Sequence, residues 1–146
     1  MSANISSINY CPVKSVSFQS INRCEIKKNI GIVGDRIFAF VKGLDLDQVK
    51  LFEKNPEERR GKWNKILTLK NSPVLNKYNF LFNKNKLTLT FEGKKILTIN
   101  VNELDTYDLL SNKILELENS LQKPIVLMKN KDLPFFDTSI SNKIVL

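Results

Sequence analysis

Apolar and polar residues alternate along most of this chain in short runs, and in one stretch the spacing changes to that of a helix. The clearest β signal is at Leu87, Leu89 and Phe91, which alternate with Thr88 and Thr90; Leu97, Ile99 and Val101 resume the alternation after Glu92-Gly93-Lys94-Lys95. Side chains at every second position of a strand share a face, so this segment predicts an antiparallel hairpin with one buried face. Ile5 to Tyr10 and Phe18 to Lys27 read as two earlier strands, and Ile37-Phe38-Ala39-Phe40-Val41 as a third that is apolar on both faces. Gly34 and Gly43 flank that run and favour a strand over a buried helix segment. Trp63 to Leu69, Phe80-Leu81-Phe82 and Ile125 to Met128 add further strands.

Helical spacing belongs to Asn102 to Leu121, where Leu110, Ile114, Leu117 and Leu121 form one apolar stripe, with Asn102 as cap and Asp105 in the first turn. A shorter helix capped by Asp47 carries Val49, Leu51 and Phe52 and breaks at Asn55-Pro56. Glu57-Glu58-Arg59-Arg60-Gly61-Lys62 reads as an exposed loop, its acidic pair neutralising half of its positive charge. The fold class is therefore mainly β (α+β), with one long amphipathic helix; the hairpin suits a β-barrel wall, though a β-sandwich would show it too.

At 146 residues the chain has the length of one domain with a proper core. The 23 Lys and Arg against 15 Asp and Glu leave a charge of +8, which favours an anionic partner: a phosphate-bearing cofactor, nucleic acid or an anionic membrane surface. A Lys-rich and Asn-rich compositional habit would produce the same excess. With no His, imidazole bases, His metal sites and His-dependent triads are excluded. Cys11 and Cys24 cannot build a four-ligand zinc site and are not spaced as a Cys-x-x-Cys pair, so they read as reduced thiols of a cytoplasmic protein. Cys24 alternates with Arg23 and Glu25 and reads as packed; Cys11, next to Lys14, has a cation that would lower its pKa. No apolar run reaches the ~18 residues of a membrane span.

Candidate chemistry concentrates in Tyr10-Cys11-Pro12-Val13-Lys14-Ser15 and Gly31-Ile32-Val33-Gly34-Asp35-Arg36. Pro12 ends or bulges the first strand, after which Lys14 offers a point charge and Ser15 a steerable donor for an anionic oxygen. Arg36 opens the next strand, and its guanidinium can make a bidentate contact with phosphate or carboxylate. If the two strand ends meet, they make an anion site. The same residues also fit a solvated turn and a hairpin connection whose Asp and Arg pair with each other.

In order along the chain, Pro12-Val13-Lys14-Ser15, Gly31-Ile32-Val33-Gly34-Asp35-Arg36 and Leu67-Thr68-Leu69-Lys70-Asn71-Ser72-Pro73-Val74-Leu75 resemble three motifs of the MOSC proteins. These are Pro-Val-Lys-Ser, Gly-Leu-x-Gly-Asp-Arg and Leu-Thr-x-Arg-x-x-Pro-x-Leu of the family's amino-terminal β-barrel domain. The resemblance implies a MOSC N-terminal β-barrel-like domain over residues 1–128, with 129–146 as linker and first strand of an incomplete MOSC domain. It implies an anionic pterin, the molybdenum cofactor (molybdopterin), held by Lys14, Ser15 and Arg36. Relatives include molybdenum-cofactor sulfurase carboxy-terminal regions and amidoxime-reducing components, so a full-length relative would be an oxidoreductase or a sulfur-transfer protein.

Two residues depart from the family pattern: Cys11 replaces an aromatic residue, and Lys70 replaces an Arg, which weakens any bidentate contact there. The family's metal-binding or sulfur-carrying cysteine lies in the following domain, of which only Phe135-Phe136-Asp137-Thr138 and Ile144-Val145-Leu146 resemble the beginning. The expectation is thus a truncated chain that anchors the cofactor, holds no catalytic or metal residue of its own and is silent without a MOSC catalytic domain in the same or a separate chain. It is expected to be soluble, away from membranes. Two readings stand beside it: a basic β-domain binding nucleic acid or a protein partner, for which the strands offer no evident base-stacking platform, and a purely structural module.

Overall fold

The computed structural model describes residues 4–59, 61–130 and 134–135. β1 (Ile8–Tyr10) pairs antiparallel with β2 (Gln19–Ile21), and β3 (Ile26–Lys27) with β4 (Gly31–Ile32). β5 (Phe38–Lys42) leads to helix α1 (Leu46–Lys54), followed by short 3-10 turns at Pro56–Arg59, Trp63–Lys65 and Pro73–Lys77. β6 (Tyr78–Asn83), β7 (Lys86–Phe91) and β8 (Lys94–Asn100) form an antiparallel meander that pairs Leu89 with Leu97 and Leu87 with Ile99. Helix α2 (Asp105–Leu117) precedes β9 (Ile125–Lys129), which returns to pair antiparallel with β5.

The ribbon of β5 and β9 divides the core, and this explains why both strands are apolar up to their terminal lysines, Lys42 and Lys129. Period-two alternation sends Phe38, Phe40, Ile125 and Leu127 to one side, where they pack with Phe80, Leu87, Leu89 and Ile99 of the meander and Leu110 and Ile114 of α2. It sends Ala39, Val41, Val126 and Met128 to the other, against Val49 and Phe52 of α1. Phe38 meets Phe82 edge to face at 5.1 Å between ring centroids, a favoured aromatic geometry.

Several expectations are corrected. Among the described residues the ladders form three two-stranded sheets and one of three strands, with isolated bridges at Val13–Phe38 and Val41–Ile66, so they do not close into a barrel. Both expected α-helices are present, with shifted ends. The expected strand from Phe18 to Lys27 breaks after Ile21, because Asn22-Arg23-Cys24-Glu25 supplies no apolar face; Ile26 is exposed, and Cys24 lies partly buried between strands. Instead of a strand, Trp63 to Leu69 forms a 3-10 turn, the single bridge at Ile66 and the start of a further turn.

The cap of α1 is Asp45, not Asp47. The residue three on from Asp45 is Gln48, and the pair forms a reciprocal capping box at 2.8 and 3.0 Å. α2 starts at Asp105 without a cap from Asn102, and stops at Leu117. Arg59, assigned to an exposed loop, is buried: its Nε donates to the Phe52 carbonyl at 2.9 Å and it lies over the Phe135 ring. Of the expected linker and final strand, residues 131–133 and 136–146 lie outside the described residues; β9 itself runs one residue past the expected boundary, to Lys129.

Glu118 fixes the end of α2. Its buried carboxylate accepts from the Tyr78 hydroxyl at 2.5 Å and pairs with Lys77. Burial pushes the carboxyl up, but the Lys77 ammonium and the Tyr78 hydroxyl outweigh it and hold Glu118 below its ordinary value. A carboxyl depressed in the folded state stabilises fully above its unfolded pKa, and that stability is lost as pH falls through the folded value. Urea unfolding should find Glu118→Gln about 2 kcal/mol less stable at neutral pH, with the gap to the unsubstituted chain shrinking below about pH 4.

Candidate anion-binding site

The site begins where Pro12 ends β1. Lacking an N–H, Pro12 offers only its carbonyl, which accepts from Phe38 N–H at 3.0 Å while Lys14 N–H donates to the Phe38 carbonyl at 2.8 Å. This places Val13 beside β5 in a parallel bridge and sets Lys14 and Ser15 just beyond it. The second segment is tied to the first through Asp35. One carboxylate oxygen accepts Cys11 N–H at 3.0 Å, the other accepts Arg36 Nε and Nη2, both at 2.8 Å, and Arg36 N–H donates to the Cys11 carbonyl at 2.6 Å. Asp and Arg do pair with each other, as the plainer sequence reading had it, and the same pair joins the two motifs.

Two of the three candidate residues have strained backbones. Ser15 has φ +71° and Arg36 φ +50°, in the left-handed region that non-glycine residues seldom occupy, and such residues persist where surrounding contacts over-determine them. Gly34, at φ +84°, has a second constraint: a Cβ there would lie 3.2 Å from the Tyr10 hydroxyl.

Lys14, Ser15 and Arg36 line one cleft of about 540 Å³, together with Thr68, Leu69 and Lys70 of the third motif. Asn71 shapes that third segment: its Oδ1 accepts Thr68 N–H at 2.7 Å and its Nδ2 donates to the Ile66 carbonyl at 3.0 Å, so the chain turns and presents residues 68–70. Lys14 is buried, with its Nζ donating to the Phe135 carbonyl at 3.3 Å; Phe135 N–H donates to the Arg36 carbonyl at 2.8 Å. Phe135, which is buried in the core, thus touches two of the three candidate residues. Phe18 also lines the cleft, and sequence reasoning missed it. Its signal was phase: it shares the outward phase with Ser20, opposite to Ile21.

Cys11 is not activated by its cationic neighbours. Its thiol is 1% exposed and donates to the Val13 carbonyl at 2.7 Å, and burial, with the Asp35 charge, pushes it up to about 11. Burial and Asp35 likewise push the Tyr10 phenol up to about 12. Among the described residues no group of three or more Cys, Asp or Glu is placed to hold a metal ion.

The family model described as the MOSC N-terminal beta barrel domain matches residues 2–123. The chain belongs to that family. Comparison with curated proteins and with solved structures gave no match.

Replacing Asp35 with Ala leaves the Cys11 N–H and the guanidinium without their shared acceptor. Chemical denaturation should show a loss of about 2 to 3 kcal/mol. Thiol labelling of the folded chain at neutral pH should modify Cys24 and spare Cys11, whose labelling should rise only under denaturant or as pH approaches about 11.

Proposed function

We propose that this domain anchors the anionic end of a pterin-based molybdenum cofactor, with Lys14 and Ser15 contacting the cofactor and Arg36 clamping its phosphate or pterin side. The observation that carries the reading is convergence: three segments separated along the chain, each resembling a motif of the family, line one cleft. Its volume of about 540 Å³ suits a molecule of nucleotide size. Lys14, Arg36 and Lys70 contribute cations, and no carboxylate among the described residues lines the cleft, which fits a phosphate. The donor set fits the organic anion and offers no thiolate to a metal, since Cys11 is held protonated in the core.

When bound, the cofactor would supply redox or sulfur chemistry at its metal. This chain's residues would orient it, and transfer would need a cysteine-bearing MOSC domain in the same or another chain. The path of Phe135 past Lys14 and Arg36 supports that reading, because a following segment would leave from the edge of the cleft. Alone, the domain binds without turnover. No helix among the described residues is long and apolar enough to cross a membrane. We place the protein in the cytoplasm, in keeping with its two unbridged thiols.

Titration of the recombinant domain with free cofactor, followed by pterin fluorescence, tests this. Lys14→Ala and Arg36→Ala should each weaken binding by about tenfold or more, and added salt should weaken binding to the unsubstituted domain. Equal affinity in all three proteins would remove these residues from the site.

A further inference from the structure

The cleft has a second chemical character. Beside its cations it carries two large apolar side chains that the fold leaves in solvent: Phe18, 57% exposed, and Leu69, 50% exposed. Scattered exposed apolar residues are ordinary. Here two lie together in one cleft with Lys14, Arg36 and Lys70. Of the phenylalanines and tyrosines among the described residues, only Phe18 is exposed.

Phe18 is also fixed in place. Ser17 N–H donates to the Tyr78 carbonyl at 2.9 Å and Asn79 Nδ2 donates to the Phe18 carbonyl at 3.4 Å. Ser17 Oγ and Gln19 Nε2 donate to the carbonyls of Asn76 and Phe80. The backbone on both sides of Phe18 is thus tied to β6 and the turn before it, so the exposed phenyl ring stands on an anchored segment. Leu69 is anchored in turn by the Asn71 side chain, which closes the loop beneath it.

We infer that Phe18 and Leu69 form the apolar wall of the cleft and select for a flat, phosphate-bearing heterocycle, the ring lying on Phe18 while Lys14, Ser15 and Arg36 hold the anion. This rests on the anion-site reading above and adds the residues that choose among anions. A small anion satisfies the cations alone and leaves both apolar side chains in water. A planar ring on the same anion covers them, gaining apolar burial and stacking on the phenyl face. A nonplanar sugar phosphate gains the charge contacts and little of the stacking.

Equilibrium binding of three probes separates the terms: inorganic pyrophosphate, glucose 6-phosphate and a pterin monophosphate, each titrated into the unsubstituted domain, Phe18→Ala, Phe18→Trp and Lys14→Ala. The expected result is that Phe18→Ala weakens the pterin monophosphate about tenfold and leaves pyrophosphate and glucose 6-phosphate unchanged. Phe18→Trp should restore or tighten the pterin, and Lys14→Ala should weaken all three. If Phe18→Ala leaves pterin binding unchanged, or weakens all three probes equally, the wall is refuted while the anion site stands on its Lys14 dependence. If the unsubstituted domain binds no probe, both readings fall. Because Phe18 is exposed, its replacement spares the core, and circular dichroism of each variant verifies the fold.

Discussion

The site depends on one buried carboxylate. Asp35 takes the Cys11 N–H on one oxygen and the Arg36 guanidinium on the other, and so bonds the end of β1 to the segment entering β5. The energetic logic is asymmetric. A satisfied buried acceptor contributes modestly, whereas the groups it serves would be costly to leave without it. The same contact offsets the cost of the left-handed backbone at Arg36, whose own N–H is held by the Cys11 carbonyl. The guanidinium is thereby fixed in direction as well as place, a condition for bidentate recognition of an anion.

That contact is backed by the buried ribbon of β5 and β9. Buried on both faces, the ribbon supplies the Phe38 backbone that receives Pro12 and Lys14 and the Ile37 carbonyl that receives Asn130 N–H. The incoming motif and the outgoing chain therefore meet at one end of β5. Through Phe135 the chain beyond β9 bonds both Lys14 and Arg36.

Much of this was legible in the residues. The alternation at Leu87 to Val101 was enough for the hairpin, since register follows from a period of two, and the unbroken apolar run at Phe38 to Val41 foretold a strand buried on both faces. The three candidate side chains were chosen by residue type and motif, and they line one cleft. What stayed hidden depends on long-range contacts. Nothing local distinguishes Arg59 as buried, because its acceptor is the Phe52 carbonyl of a helix and its ring partner lies far along the chain. The raised Cys11 thiol was hidden for the same reason: neighbouring cations favour the thiolate, but burial and Asp35 decide. Barrel closure was beyond pattern reading, since alternation shows a buried face and not how the ladders join.

The central claim is that segments at residues 11–16, 34–37 and 68–70 act as one anion site. The most direct measurement is a backbone amide chemical-shift titration of the folded domain with inorganic pyrophosphate. The account predicts that the resonances of those three segments move together along one saturating isotherm, with Asp35 and Arg36 among the largest changes. Shifts spread over lysines on the outer surface, or confined to a single segment, would contradict it.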